Sequence, residues 1–68
     1  MTFSEHLLKL RKERGLTQTE LAAQVGIGWR AYQTYEQGHR YPTLPVLIAL
    51  ADFYDLSLDE LVCRERKR

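Results

Sequence analysis

The stretch TQTELAAQVGIGWRAYQTYEQ, residues 17–37, decides the fold. Thr17-Gln18-Thr19-Glu20 matches a capping box: the threonine hydroxyl takes a backbone N–H at the helix start, and Glu20 reaches back to Thr17. Leu21, Ala22 and Val25 follow at helical spacing and make a buried face. Gly26 stops this helix, because glycine accepts a positive φ at little steric cost. Ile27 plugs the turn, and the next helix runs from about Trp29 to Glu36 with Tyr32 and Tyr35 on one side, closed by Gln37-Gly38. Two helices crossing steeply through so tight a turn need a small residue where their backbones approach, and Ala22 supplies it. Leu21, Val25, Ile27, Tyr32 and Tyr35 supply the apolar contacts that set the crossing angle.

Helical spacing continues on both sides. Phe3, Leu7 and Leu10 form a stripe that ends at Arg14-Gly15. After a loop at His39-Arg40-Tyr41-Pro42, Thr43 reads as an N-cap, and Pro45 sits in the first helical turn, where its missing N–H costs little. Leu44, Leu47, Ile48 and Ala51 give the core stripe expected of this fourth helix, joined by Leu50 and Tyr54. Ser57-Leu58-Asp59-Glu60 is a second capping box and opens a short fifth helix with Leu61 and Val62. No segment alternates apolar and polar residues long enough to suggest strands, so the expectation is an all-α fold of five short helices.

A chain of 68 residues is expected to hold one small domain without a separate catalytic or sensor domain. Cys63 has no partner for an internal bridge, and His6, His39 and Cys63 are not spaced as metal ligands, so neither a metal nor a cofactor is expected. No nucleophile is matched with a positioned base, and Asp52, Asp55, Asp59 and Glu60 read as surface acids, which argues against an enzyme. Met1-Thr2-Phe3-Ser4-Glu5 lacks a signal-peptide pattern, and no apolar run approaches the roughly 20 residues that span a bilayer. A cytoplasmic protein with no membrane partner is expected. The net charge of +1 says less than its distribution. Residues 1–42 carry Lys9, Arg11, Lys12, Arg14, Arg30 and Arg40 against four acids, whereas residues 43–63 carry the four acids named above and no base. Such a division lets one face meet phosphates while another is repelled by them.

Leu10-Arg11-Lys12, Gly15-Leu16-Thr17-Gln18, Glu20-Leu21-Ala22, Val25-Gly26-Ile27, Tyr35-Glu36-Gln37-Gly38, Arg40, Pro42, Leu44 and Ser57-Leu58-Asp59-Glu60-Leu61 stand in an order and at a spacing that resembles the phage repressor/Cro type of helix-turn-helix DNA-binding proteins. The resemblance covers residues 3–62 and implies a compact five-helix lambda-repressor-like domain over residues 1–63, with the motif at 18–37 and a basic C-terminal tail at 64–68. It also implies a sequence-specific transcriptional regulator of double-stranded DNA, in the repressor sense, whose third helix enters the major groove. The competing class is an antitoxin-like or other protein-interaction module with DNA binding secondary.

Carried over by position, the resemblance implies that Trp29, Arg30, Gln33 and Thr34 face the bases. Arg30 suits guanine O6 and N7, Gln33 suits adenine N6 and N7 or the backbone, and Thr34 suits a thymine methyl or a hydrogen bond. Gln18, Arg11, Gln37, His39, Arg40, Tyr41 and Thr43 are implied as backbone contacts, with Arg11 also paired to Glu36 as a brace. Gly28 and Trp29 depart from the pattern, which usually has a serine or threonine cap followed by a polar residue. The indole of Trp29 is left with three options: thymine methyls and sugars, a partner protein, or partial burial against Tyr32 or the preceding turn. One motif reads few base pairs, so a homodimer on a partly palindromic operator is expected, with Phe53, Leu56, Leu58, Leu61 and Val62 as contact candidates, completion of the monomer's core as their alternative role, above all for Leu58 and Leu61, and a protein effector as a further partner.

Overall fold

The first helix, α1 (Phe3–Glu13), begins where Thr2 accepts the amide of Glu5 and Glu5 accepts the amide of Thr2, a complete capping box. In the computed structural model, which describes residues 1–63, α2 (Gln18–Val25), α3 (Trp29–Glu36), α4 (Leu44–Tyr54) and α5 (Leu58–Leu61) follow, with no strand among the described residues. The tail at 64–68 lies outside the described residues. Thr17 and Ser57 close the starts of α2 and α5 with the expected capping boxes. Gly28 and Thr43 occupy the cap positions of α3 and α4 without a side-chain hydrogen bond.

Four helices end alike. After α1 the amide of Leu16 reaches the Arg11 carbonyl at 3.2 Å; Ile27 reaches Ala22 at 3.0 Å, His39 reaches Thr34 at 3.0 Å, and Leu56 reaches Ala51 at 2.9 Å. This closure needs a left-handed residue just past the helix. Gly26 meets the need in the turn between α2 and α3, with φ 76°. Asp55 meets it after α4 with φ 57°, a conformation that aspartate tolerates better than most non-glycine residues.

The core gathers Phe3 and Leu7 of α1, Leu21 and Ala22 of α2, Tyr32 of α3, Leu50, Ala51 and Tyr54 of α4, and Leu61 of α5. α3 packs against α1 and α2, while α4 packs on α2 and α5, and α5 also touches α1. His6 bolts the two ends of the chain together by donating from Nδ1 to the Leu61 carbonyl at 2.9 Å. The face of α4 differs from the sequence expectation. Leu50, Ala51 and Tyr54 are buried and Leu47 is half-buried, but Leu44 and Ile48 are exposed. A helix apolar nearly all round is compatible with two registers, and packing on α2 and α5 selects the one that includes Tyr54.

Candidate nucleic-acid interface

Each residue of an α-helix turns about 100° from the last, so Trp29, Gln33, Gln37, Arg30 and Thr34 fall on one continuous arc of α3. That arc faces out: Trp29, Arg30 and Gln37 are exposed, and Gln33 and Thr34 are half-buried. The other side holds Tyr32, fully buried, with Tyr35 packed beside the core. The four residues expected to face bases therefore share one surface, and no acid stands on it. Thr34 donates its hydroxyl to the Ala31 carbonyl at 2.6 Å, which leaves its methyl and an acceptor lone pair for any partner.

Glu36, the acid of α3, turns inward and becomes a hub. Arg11 donates Nε and a terminal nitrogen to its two carboxylate oxygens at 2.7 and 3.2 Å, Gln18 donates Nε2 at 3.0 Å, and the Tyr32 hydroxyl, one helical turn back, donates as well. The remaining terminal nitrogen of Arg11 binds the Leu16 carbonyl at 2.8 Å. Three helices are thus pinned at one carboxylate. Burial alone would raise the Glu36 pKa, but the hydrogen bonds from Arg11, Tyr32 and Gln18 outweigh it and hold the carboxyl below its ordinary value. The same hydrogen bond to Glu36 raises Arg11, and burial raises the Tyr32 phenol.

The hub defines what the expected backbone-contact residues present. The Arg11 side chain is only 13% exposed, with each guanidinium nitrogen engaged by protein, so bracing is its geometric role. Gln18 keeps its backbone amide at the start of α2 but shares its side-chain amide with Glu36. Beyond α3, Gln37, His39, Arg40, Tyr41 and Thr43 are all exposed, along a loop anchored by buried Pro42. The Tyr41 ring stacks on Phe3 with centroids 5.6 Å apart, and a cleft of about 180 Å³ opens between this loop and the start of α1 at Phe3 and Ser4.

Two residues escaped the sequence reading. Tyr32 reads as an apolar contact, although its spacing of four from Glu36 places its hydroxyl beside the carboxylate. Ser4 lines the cleft, with nothing in its neighbourhood of sequence to mark it.

Among the expected dimer contacts, Leu61 takes its alternative place in the core and is corrected as a contact: it is 0% exposed, sealed between α1 and α4, and offers no surface to a partner. Leu58 is 39% exposed, and Phe53, Leu56 and Val62 are half-buried. The guanidinium of Arg14 covers part of Phe53 from 5.4 Å. The acids Asp52, Asp55, Asp59 and Glu60 all belong to α4, α5 and the turn between them rather than to α3. Among the described residues no helix is long and apolar enough to cross a membrane, and no group of three His, Cys, Asp or Glu side chains is placed to hold a metal.

Comparison with known proteins places residues 7–61 in the helix-turn-helix family. The uncharacterized HTH-type transcriptional regulator YqaE of Bacillus subtilis is 45% identical over 60 residues, covering 88% of this chain and 52% of that protein. Among solved structures, a transcriptional regulator from Listeria innocua superposes with a TM-score of 0.91 at 34% identity, over 98% of this chain and 63% of that one. The DNA-binding domain of the P22 c2 repressor gives a TM-score of 0.82 at 26% identity, over 90% of this chain and 80% of that one. The chain spans about half the length of the curated relatives it matches.

Proposed function

The chain belongs to the helix-turn-helix family, and we propose that it is a sequence-specific transcriptional regulator that docks α3 in the major groove of double-stranded DNA and acts as a repressor. The observation that carries this reading is the outward arc of α3, where Trp29, Arg30, Gln33 and Thr34 stand together, free of acids. Its likeness to a repressor's DNA-binding domain supports the same reading. Arg30 and Gln33 are the base readers, suited to guanine and adenine edges, while Gln18, Gln37, His39, Arg40, Tyr41 and Thr43 hold the sugar-phosphate backbone. Arg11 serves chiefly as the brace behind them. Nothing in this role calls for a cofactor or catalysis.

Because one recognition helix reads only a few base pairs, the protein acts as a homodimer on a partly palindromic operator. Leu58, with Phe53, Leu56 and Val62 around it, is the surface proposed for the two-fold contact. The site of action is the cytoplasm, and occupancy is set by protein concentration or a protein effector. Selecting bound fragments from a random duplex library tests the proposal. Two half-sites about 34 Å apart are expected, with a log–log salt slope near −5 for about six phosphate contacts. Recovery of no sequence preference would remove it.

A further inference from the structure

Trp29 opens α3 with 43% of its surface exposed and is not one of the buried residues that form the core. What it meets is Arg30, whose guanidinium carbon lies 5.5 Å from the ring centroid. Adjacent residues on a helix do not face each other, so helical geometry alone does not bring these side chains together. The arginine folds back over the indole, and the attraction of a cation for the face of the ring accounts for it. Among the described residues no carboxylate lies within ion-pair distance of Arg30. A free arginine on a helix surface samples many rotamers and loses that freedom when it docks. A guanidinium resting on a ring face has already lost part of it, and its N–H edge stays available.

We propose that Trp29 is a positioning residue for Arg30: the indole holds the guanidinium ready to meet guanine O6 and N7, and so sets how strongly the protein weights one guanine in its site. The proposal rests on the reading of α3 as the groove-reading helix. It gives the unusual indole at the helix tip a task in specificity without requiring it to touch a base.

The test uses the full chain and a duplex that the wild-type protein selects from a random library. Wild type, Trp29→Ala, Trp29→Phe, Arg30→Ala and the Trp29→Ala/Arg30→Ala double variant are titrated with that duplex. Each also meets a copy in which the guanine whose preference Arg30→Ala erases is replaced by adenine. Trp29→Ala is expected to cut the preference for that guanine about three- to thirtyfold, and Trp29→Phe to cut it less, because phenylalanine still offers a ring face. In the Arg30→Ala background Trp29→Ala should change the preference no further. Equal losses with and without Arg30, or a loss at a different base pair, would show the indole reading DNA itself and overturn the proposal. In the free protein, acrylamide quenching of the single tryptophan should rise when Arg30→Ala uncovers the ring; unchanged quenching would also overturn it. If the wild-type chain selects no sequence, the groove-reading assignment fails and this proposal goes with it. A selected duplex without coupling sinks the proposal alone.

Discussion

Arg11→Met removes one side of the hub that fixes α3. The Arg11 and Glu36 side chains are 13% and 5% exposed, so their attraction is weakly screened by solvent. Breaking such a pair by deleting one partner costs about 3–5 kcal/mol, because the other charge stays buried. Methionine keeps most of the aliphatic stem, and Gln18 and Tyr32 still donate to Glu36, so the lower end, about 3 kcal/mol, applies. A domain of this size has roughly 3–10 kcal/mol in total. The variant should therefore lose a large part of its stability and melt about 12–24 °C lower. Urea unfolding followed by helical circular dichroism measures the loss, with an unchanged m-value expected if only the native state is affected. Arg11→Met/Glu36→Gln should recover part of it, since no uncompensated charge remains inside.

The pH profile gives a second readout. Glu36 is held below its ordinary value of 4.5, so its ionisation stabilises the fold above that value, and the contribution disappears as pH falls through the depressed one. Without Arg11 the folded-state pKa moves up, and the acid-side loss of stability should shrink. A loss under about 1 kcal/mol for Arg11→Met, the range of exposed pairs, with an unchanged acid limb, would refute the description of Glu36 as a buried hub.

Thr17→Ala removes the hydroxyl that accepts the Glu20 amide at 3.1 Å and should cost about 1 kcal/mol in thermal or chemical unfolding. Gly26→Ala places a Cβ in open space, with nothing within 4 Å, so only the φ of 76° resists; a cost of about 1–2 kcal/mol is expected, and a larger one would reveal packing at the turn. Arg30→Ala should weaken binding to the selected operator by about 1–3 kcal/mol and change binding to random duplex much less. Gln18→Ala should weaken both alike, and equal selectivity losses from the two variants would strike Arg30 from the base readers.

What the sequence made legible follows from the range of each interaction. The capping boxes at Thr17–Glu20 and Ser57–Glu60 are complete within four residues, so helix starts could be placed before any coordinates. The identical device at Thr2–Glu5 was equally local, but placing α1 by its apolar stripe alone passes over it. The end of α4 was less readable, because Asp55 does there what glycine does elsewhere, and aspartate carries no unambiguous stop signal. The face of α4 was unreadable from periodicity, since Leu44, Leu47, Ile48, Leu50, Ala51 and Tyr54 satisfy two overlapping stripes and only packing chooses between them.

The hub sets the deeper limit. Arg11 and Glu36 stand 25 residues apart, and only resemblance joined them; Gln18 enters because α2 crosses α3 at that carboxylate, a consequence of the turn at Gly26 rather than of any pattern at Gln18. Tyr32 belonged to the readable class, but its ring argued for the core so strongly that its hydroxyl drew no partner. The outward arc of α3 was legible only in part: periodicity set Tyr32 and Tyr35 on one side, and the resemblance, not periodicity, assigned Trp29, Arg30, Gln33 and Thr34 to the other. The stacking of Arg30 on Trp29 was not legible, because it depends on side-chain torsions that residue spacing leaves open. Periodicity therefore sorts outward side chains from inward ones, whereas the contacts those side chains make depend on rotamers and on long-range pairings such as those at Glu36.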